Sequence, residues 1–134
     1  YSRGEERVVI QFRGLRIMLL ICYDLRFPTF SRNRDDYDAV IYPANWPQKR
    51  ILAWDTLLRA RAIENQCYAI GVNRSGSDDL GFYPGHSAII TPYGETLIQT
   101  DERPQMLSAD LDMERLARFR TKFPVLQDAD KNEL

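Results

Sequence analysis

The first candidate for chemistry is a cysteine with charged and aromatic neighbours. The segment Cys22–Pro28 reads Cys-Tyr-Asp-Leu-Arg-Phe-Pro and follows an apolar run, Leu15 to Ile21, that only Arg16 interrupts. Such a run is typical of a buried strand, so the cysteine is predicted at a strand end, entering a helix. Free backbone N–H groups there favour the thiolate, the nucleophilic form. A strand-end cysteine is also often a small buried hydrophobe, so position alone leaves both interpretations open.

The elements that would hold this cysteine can be predicted from hydrophobic periodicity. Arg7 to Phe12 is predicted as a strand, and Arg13-Gly14 as a hairpin turn into the strand Leu15–Ile21. Ala39 to Tyr42 is a short buried strand, and Gln48 to about Gln66 is the clearest helix. Its core stripe recurs at helical spacing and consists of Ile51, Trp54, Leu58 and Ala62.

The second half of the chain is predicted to be richer in hairpins. The predicted elements are, in chain order, a strand Cys67–Val72, a surface loop Asn73–Pro84, a strand Ser87–Thr91, a tight turn Pro92–Glu95, strands Thr96–Thr100 and Gln105–Leu111, a helix Met113–Lys122 capped by Asp112, and an extended tail Leu126–Leu134. Strands and helices alternate first and hairpins follow, which predicts a mixed, layered α/β chain.

Composition excludes several function classes. The net charge of −1 offers no strong field for nucleic acid or an anionic membrane, and no apolar run approaches the roughly 20 residues of a membrane span. Cys22 and Cys67 are the only cysteines and His86 the only histidine, so a structural zinc site is not expected. The polar N-terminus and sparse cysteines favour a cytoplasmic location. A Cys22–His86 dyad is disfavoured, because nothing around His86 resembles a thiol protease motif.

Four ordered segments resemble the nitrilase superfamily of carbon–nitrogen hydrolases. They are Cys22–Pro28, Tyr42–Pro47 (Tyr-Pro-Ala-Asn-Trp-Pro), Arg61–Gln66 (Arg-Ala-Ile-Glu-Asn-Gln) and Gly85–Glu95. The first two are most similar to the omega-amidase-like branch. The resemblance implies an α/β fold, a four-layer α-β-β-α sandwich of the nitrilase type that commonly dimerises. Family chains are about twice this length and the likeness begins mid-domain, so we expect residues 1–134 to be the C-terminal part of a single carbon–nitrogen hydrolase domain.

The resemblance also implies a Glu-Lys-Cys triad, of which only the cysteine can be assigned in this chain. Cys22 is the expected nucleophile, and the backbone N–H of Tyr23 the expected oxyanion donor. The family's glutamate and lysine precede the cysteine, whereas all three lysines here follow it. Both residues are therefore expected upstream of Tyr1. Glu64 lies in a matched segment, but its order is wrong for the triad, and we expect it to pair with Arg61.

Three further residues are candidates for substrate binding. Asn45 and Trp46 follow a predicted strand and would lie beside Cys22 if the two strands are parallel, since ligand sites cluster at such strand ends. Trp46 as a plain core residue is an equal alternative. Arg26 is the third candidate, although Asp24 and Arg26 are also suited to fixing the chain after the cysteine by hydrogen bonding.

The function that follows is hydrolysis of amide bonds in small linear amides, with ammonia released through a cysteine thioester. The omega-amidase likeness implies ω-amides of dicarboxylic keto acids. One alternative is an N-carbamoyl amine hydrolase, and another is a non-catalytic fragment, because the triad glutamate and lysine are absent. We expect a small-molecule amide as partner, a homodimer or higher homo-oligomer, no nucleic acid or membrane partner, and no cofactor or metal.

Overall fold

The structure is a computed structural model that describes residues 4–130. Within this range the strands form a six-stranded sheet of order β1-β2-β3-β4-β7-β8 and a separate two-stranded ribbon, β5-β6. The strands are β1 Val9–Phe12, β2 Leu15–Leu19, β3 Ala39–Ala44, β4 Tyr68–Asn73, β5 Ser75–Asp78, β6 Gly81–Pro84, β7 Ala88–Ile90 and β8 Thr96–Gln99. The helices are α1 Pro28–Ser31, α2 Ile51–Glu64, α3 Met113–Lys122 and α4 Val125–Asp128, with 3-10 turns at Cys22–Arg26 and Gln48–Arg50.

The centre of the sheet is parallel and its two sides are antiparallel. β2, β3 and β4 run in the same direction, and β1 and β7 each pair antiparallel with their neighbours. The predicted turn between β1 and β2 is confirmed, with Arg13 at φ 51° and Gly14 at φ 82°, because tight hairpins favour positive φ at both central positions. Consequently the carboxyl ends of β2, β3 and β4 lie at one edge, called the carboxyl edge below.

One face of the sheet is covered by α2. The predicted stripe is confirmed: Trp54, Leu58 and Ala62 are buried against strand residues such as Val40. The approach is so close that a Cβ built on Gly71 would lie 2.5 Å from the Trp54 ring, so only glycine fits there. This packing fixes the height of the helix above the carboxyl edge.

The opposite face carries apolar residues that this part of the chain covers incompletely. The strand register aligns one such row across five strands, consisting of Leu19, Ile41, Ile70, Ile89 and Ile98. Leu116 of α3 packs beside this row, whereas Phe12 and Leu19 are 59% and 39% exposed. Within residues 4–130, the apolar side chains on one face of the sheet pack against α2, whereas those on the opposite face stay uncovered over much of the sheet.

Several predicted boundaries are wrong in the first half. β2 ends at Leu19, because the chain turns sharply at Cys22, and a 3-10 turn follows in place of a regular helix. The predicted helix from Gln48 starts as a 3-10 turn and becomes α-helical only at Ile51. Local periodicity predicts an element better than its ends, which depend on tertiary contacts.

The second half differs more. The predicted loop 73–84 contains the ribbon β5-β6, with Gly76 and Gly81 at positive φ. Residues 105–111 form no strand, because no neighbouring strand pairs with them, and Met106 is 94% exposed. The helix after Asp112 is confirmed: its carboxylate accepts a hydrogen bond from the Arg115 N–H at 2.9 Å. The predicted extended tail contains a short helix to Asp128, and residues 131–134 lie outside the described range.

Candidate active site

Cys22 occupies a strained turn directly after β2. Its φ is 39°, in the left-handed region that non-glycine residues rarely adopt, and its side chain is partly exposed. Such a conformation costs about 1–3 kcal/mol and persists only where the surrounding structure imposes it. The 3-10 turn that begins at this cysteine ends at Arg26. The residue is thus held out of its preferred backbone conformation while it stays partly exposed.

Asp24 braces this turn. Its carboxylate accepts a hydrogen bond from the Ile21 N–H at 2.9 Å, and its own N–H donates to the Ile21 carbonyl at 2.8 Å. The Phe27 N–H donates to the Asp24 carbonyl at 3.0 Å. The hydrogen-bonding role predicted for Asp24 is therefore confirmed, and it locks the chain on both sides of Cys22.

Two backbone donors beside the sulfur remain unused. Among residues 4–130, neither the Cys22 N–H nor the Tyr23 N–H has a hydrogen-bond acceptor. The Tyr23 side chain is exposed and its ring lies edge-on to Phe27, with ring centroids 5.1 Å apart. Free N–H groups next to a nucleophile can accept charge that develops on a substrate oxygen. The assignment of Tyr23 as the oxyanion donor stays a prediction.

The second strand brings Asn45 and Trp46 to the carboxyl edge. Because β3 is parallel to β2, the strand direction on which this expectation depended is confirmed. Asn45 is exposed, whereas Trp46 is 3% exposed and its Nε1 donates to the Arg50 carbonyl at 2.7 Å. The Arg26 guanidinium lies 5.0 Å from the centroid of the Trp46 ring. The structure thus joins Arg26 to Trp46 and places most of the indole in the core.

Asn73, at the carboxyl end of β4, was missed from the sequence. Its Oδ1 accepts a hydrogen bond from the Trp46 N–H at 2.7 Å, and its Nδ2 donates to the carbonyls of Trp46 and Gly85 at 2.9 and 2.8 Å. The side chain is buried and fixes the backbone of two loops. The signal in the sequence is an asparagine directly after a predicted strand. Asn73 ends the third parallel strand, whereas the sequence predicts it as the first residue of a loop.

His86 pairs with an aspartate and not with the cysteine. Its Nδ1 lies 3.1 and 3.2 Å from the two carboxylate oxygens of Asp55 on α2. Its carbonyl accepts a hydrogen bond from Trp54 Nε1 at 2.8 Å. The histidine therefore ties the start of β7 to the helix, in agreement with the rejection of a Cys–His dyad.

Glu64 pairs with Arg61, as predicted. The Glu64 carboxylate lies 3.1 Å from Arg61 Nη1, and the arginine side chain is only 5% exposed. A second guanidinium nitrogen, Nη2, donates to the Leu25 carbonyl at 2.6 Å. The Leu25 carbonyl belongs to the turn that carries Cys22, a connection that the sequence did not reveal.

The second cysteine is chemically different from the first. Cys67 is fully buried at the amino end of β4, and its sulfur lies 3.8 Å from the Arg61 carbonyl. Burial raises the pKa of the Cys67 thiol, because desolvation disfavours the thiolate. Among the described residues, no group of three or more His, Cys, Asp or Glu side chains is arranged to hold a metal ion. In the same range, no helix has the length and apolar content that a membrane span requires.

Comparison with known proteins identifies the family. Residues 1–121 match the family model described as Carbon-nitrogen hydrolase. The chain belongs to the carbon-nitrogen hydrolase family. The resemblance to the nitrilase superfamily and its omega-amidase-like members is confirmed at this level, and so is an α/β fold of that superfamily.

Three similar proteins illustrate the relationship. Omega-amidase YafV of Escherichia coli K12 is 50% identical over 136 residues, covering 100% of this chain and 53% of that protein. The 2-oxoglutaramate amidase of Bacillus subtilis is 36% identical, covering 98% and 51%. The crystal structure of XC1258 from Xanthomonas campestris, a CN-hydrolase superfamily protein with an arsenic adduct in its active site, is 41% identical with a TM-score of 0.96, covering 100% and 54%.

The chain spans about half the length of the relatives it matches. The shares of the three proteins that it covers lie between 51% and 54%. The prediction that this half is the C-terminal one is not supported by these coverages.

Proposed function

We propose that the full-length protein hydrolyses the amide bond of small linear ω-amides, releasing ammonia through a thioester on Cys22. The observation that carries this proposal is the strained, partly exposed position of Cys22 beside two free backbone N–H groups. Similar proteins named omega-amidase and 2-oxoglutaramate amidase support the substrate class. These names favour ω-amides of dicarboxylic keto acids as the proposed substrates.

The proposed reaction has two halves. The Cys22 thiolate attacks the amide carbon, the carbonyl oxygen takes up negative charge, and the N–H of Tyr23 donates to that oxyanion. The intermediate then collapses, the carbon–nitrogen bond breaks, and the protonated nitrogen leaves as ammonia. Water attacks the resulting thioester and restores the thiol with release of the carboxylic acid. We propose that the general-base glutamate and the lysine come from the part of the protein outside this chain.

Substrate recognition is proposed at the carboxyl edge. Arg26 is exposed, and its guanidinium lies over the Trp46 ring, which defines its position. A guanidinium suits the carboxylate at the far end of such an ω-amide. Asn45 is exposed at the same edge and offers an amide donor and acceptor. The rim of Trp46 would form the wall between them.

The partly open sheet face supports the rest of the proposed architecture. An apolar row crosses five strands on this face. In a four-layer α-β-β-α sandwich, the part of the protein outside this chain would cover it. We propose that the intact protein has this sandwich, forms a homodimer and works in the cytoplasm. No cofactor is needed for the proposed chemistry.

The test is ammonia release by the purified full-length protein. We expect rapid release from the ω-amide of 2-oxoglutarate and little from an N-carbamoyl amine. Faster turnover of the N-carbamoyl amine would assign the other activity of the superfamily. Release from neither substrate, in protein that is folded and full-length, would contradict the proposed function and favour a non-catalytic role.

A further inference from the structure

A buried arginine connects α2 to the turn that carries the cysteine. Arg61 lies near the C-terminal end of α2, is 4% exposed, and points its Nη2 at the Leu25 carbonyl, 2.6 Å away. Leu25 is itself fully buried and lies three residues after Cys22. A charged donor on a carbonyl forms one of the stronger hydrogen bonds in a protein. The contact therefore fixes the depth at which this turn sits on the helix.

The Arg61 guanidinium makes one further hydrogen bond, and one of its nitrogens makes none within the described residues. Glu64 accepts from Nη1 at 3.1 Å, which partly neutralises the buried charge. Arg61 Nε has no hydrogen-bond partner among residues 4–130. A buried polar atom without a partner is unfavourable for stability. This arrangement points away from stability as the sole reason for the arginine and towards the carbonyl that it holds.

The end of the same helix also holds the far end of the segment after Cys22. The Asn65 side-chain oxygen accepts from the Asn33 N–H at 2.9 Å, and Asn33 Nδ2 donates to the Asn65 carbonyl at 2.8 Å. Both asparagines are buried. The segment between Cys22 and Asn33 is thus attached to the C-terminal end of α2 at two points, of which Arg61 is the one nearer the sulfur.

We infer that Arg61 is a positioning residue for the reaction at Cys22. Through the Leu25 carbonyl it holds the 3-10 turn in the conformation that keeps Cys22 at positive φ and the Tyr23 N–H free. Glu64 orients the guanidinium for this task. Arg61 does not touch substrate in this account, and the inference rests on the proposed function only for the turnover measurements.

The experiment compares Arg61→Met with Arg59→Met in the full-length protein. Arg59 is the matched control, because it is on the same helix and donates to the Gly94 carbonyl and to Thr96 Oγ1, in a different region. We expect kcat for the ω-amide to fall about 10- to 100-fold in Arg61→Met with little change in KM, since small misplacements of a nucleophile have effects of this size. Arg59→Met should keep its kcat.

Two further variants sharpen the result. Arg61→Lys should recover part of the kcat, because an ammonium group can donate to one carbonyl but lacks the planar fork. Glu64→Gln should lower kcat less than Arg61→Met does and should fold, since the Glu64 side chain is 44% exposed. If Arg61→Met yields no folded protein, Glu64→Gln decides: an unchanged kcat overturns the inference. An equal kcat in folded Arg61→Met and Arg59→Met overturns it as well.

A readout independent of turnover separates this inference from the proposed function. Iodoacetamide should label Cys22 more slowly in Arg61→Met than in Arg59→Met, because the turn that keeps Cys22 partly exposed loses its attachment to α2. Equal or faster labelling in Arg61→Met would contradict the positioning role. Failure of the wild-type protein to release ammonia would contradict the proposed function and leave the labelling comparison intact.

Discussion

The two cysteines lie at opposite ends of the parallel strands at the centre of the sheet, and they have opposite properties. Cys22 follows β2 at the carboxyl edge, partly exposed and at positive φ. Cys67 precedes β4 at the amino edge, fully buried, and its backbone N–H donates to the Ala62 carbonyl. The comparison shows that a chain of modest size can keep one thiol ready for chemistry and make the other part of the core.

The two edges also differ in how many of their polar groups are hydrogen-bonded. At the carboxyl edge the N–H groups of Cys22 and Tyr23 have no acceptor within residues 4–130. At the amino edge Asp38 accepts hydrogen bonds from Arg16 and from Arg120 of α3, and Arg120 also donates to the carbonyls of Tyr37 and Gln66. Satisfied buried groups stabilise a fold, whereas unsatisfied groups at an exposed edge are available for a ligand.

The largest expected effect is on turnover. Cys22→Ala should lower ammonia release more than about 1,000-fold, because no other group in the turn can form the thioester. Its urea midpoint should stay close to that of the wild-type protein, since the sulfur is only partly buried. Cys67→Ala serves as the control and should keep most of its kcat. Full activity in Cys22→Ala would show that Cys22 is not the nucleophile and would contradict the proposed difference between the two cysteines.

The second effect is on alkylation of the native full-length protein near neutral pH. Iodoacetamide should label Cys22 at least about 100-fold faster than Cys67, because the buried thiol reacts only when the structure opens, and open states are rare. Peptide mapping by mass spectrometry after short exposures measures both rates. In urea above the unfolding midpoint the two rates should converge, and equal rates in the native protein would refute the distinction.

The third effect is on stability at the amino edge. Desolvation alone would raise the pKa of Asp38, but hydrogen bonds from Arg16 and Arg120 outweigh it and hold that pKa below its ordinary value. The stabilisation is therefore fully present above the unfolded-state pKa of about 4 and is lost as the pH falls through it towards the folded-state value. Asp38→Asn should reduce the free energy of unfolding at pH 7 by about 2 kcal/mol and weaken its dependence on acid.

The control for this prediction is Asp36→Asn, which removes a more exposed carboxylate paired with Arg7. It should cost less, because exposed ion pairs contribute little. Urea titrations between pH 3 and pH 7 give both quantities. An Asp38→Asn protein with the stability and acid sensitivity of the wild type would show that the two edges do not differ in this way.

The smallest expected effect is on the core. Cys67→Ala should lower the free energy of unfolding by about 1 kcal/mol, because one buried sulfur is removed beneath α2 and the cavity is small. Cys67→Ser should cost more, since it buries a hydroxyl in the core and the Arg61 carbonyl, 3.8 Å from the sulfur, is too distant for a good hydrogen bond from an oxygen donor. Thermal or urea denaturation at neutral pH measures both. A serine variant as stable as the alanine variant would indicate that the hydroxyl donates to the Arg61 carbonyl.

The sequence by itself determined the elements with strong local signals. The stripe of α2 from Trp54 to Ala62, the Asp112 cap and the Arg13-Gly14 turn depend on periodicity, a side-chain acceptor and permitted φ values, all of which act within a few residues. The four ordered segments Cys22–Pro28, Tyr42–Pro47, Arg61–Gln66 and Gly85–Glu95 together indicated the family, because they occur in the same order over most of the chain. The prediction of a strand at Gln105–Leu111 was wrong, because a strand needs a neighbouring strand to pair with and the local pattern does not reveal one.

Only the tertiary structure decided how these elements meet. The contact of Arg61 with the Leu25 carbonyl joins residues 36 apart in sequence, and the position of Asn73 between Trp46 and Gly85 depends on the order of the strands. The same is true of the positive φ at Cys22, which no preference of cysteine predicts. Local energies of a few tenths of a kcal/mol select helices and turns, whereas the geometry around Cys22 is imposed by packing and long-range hydrogen bonds.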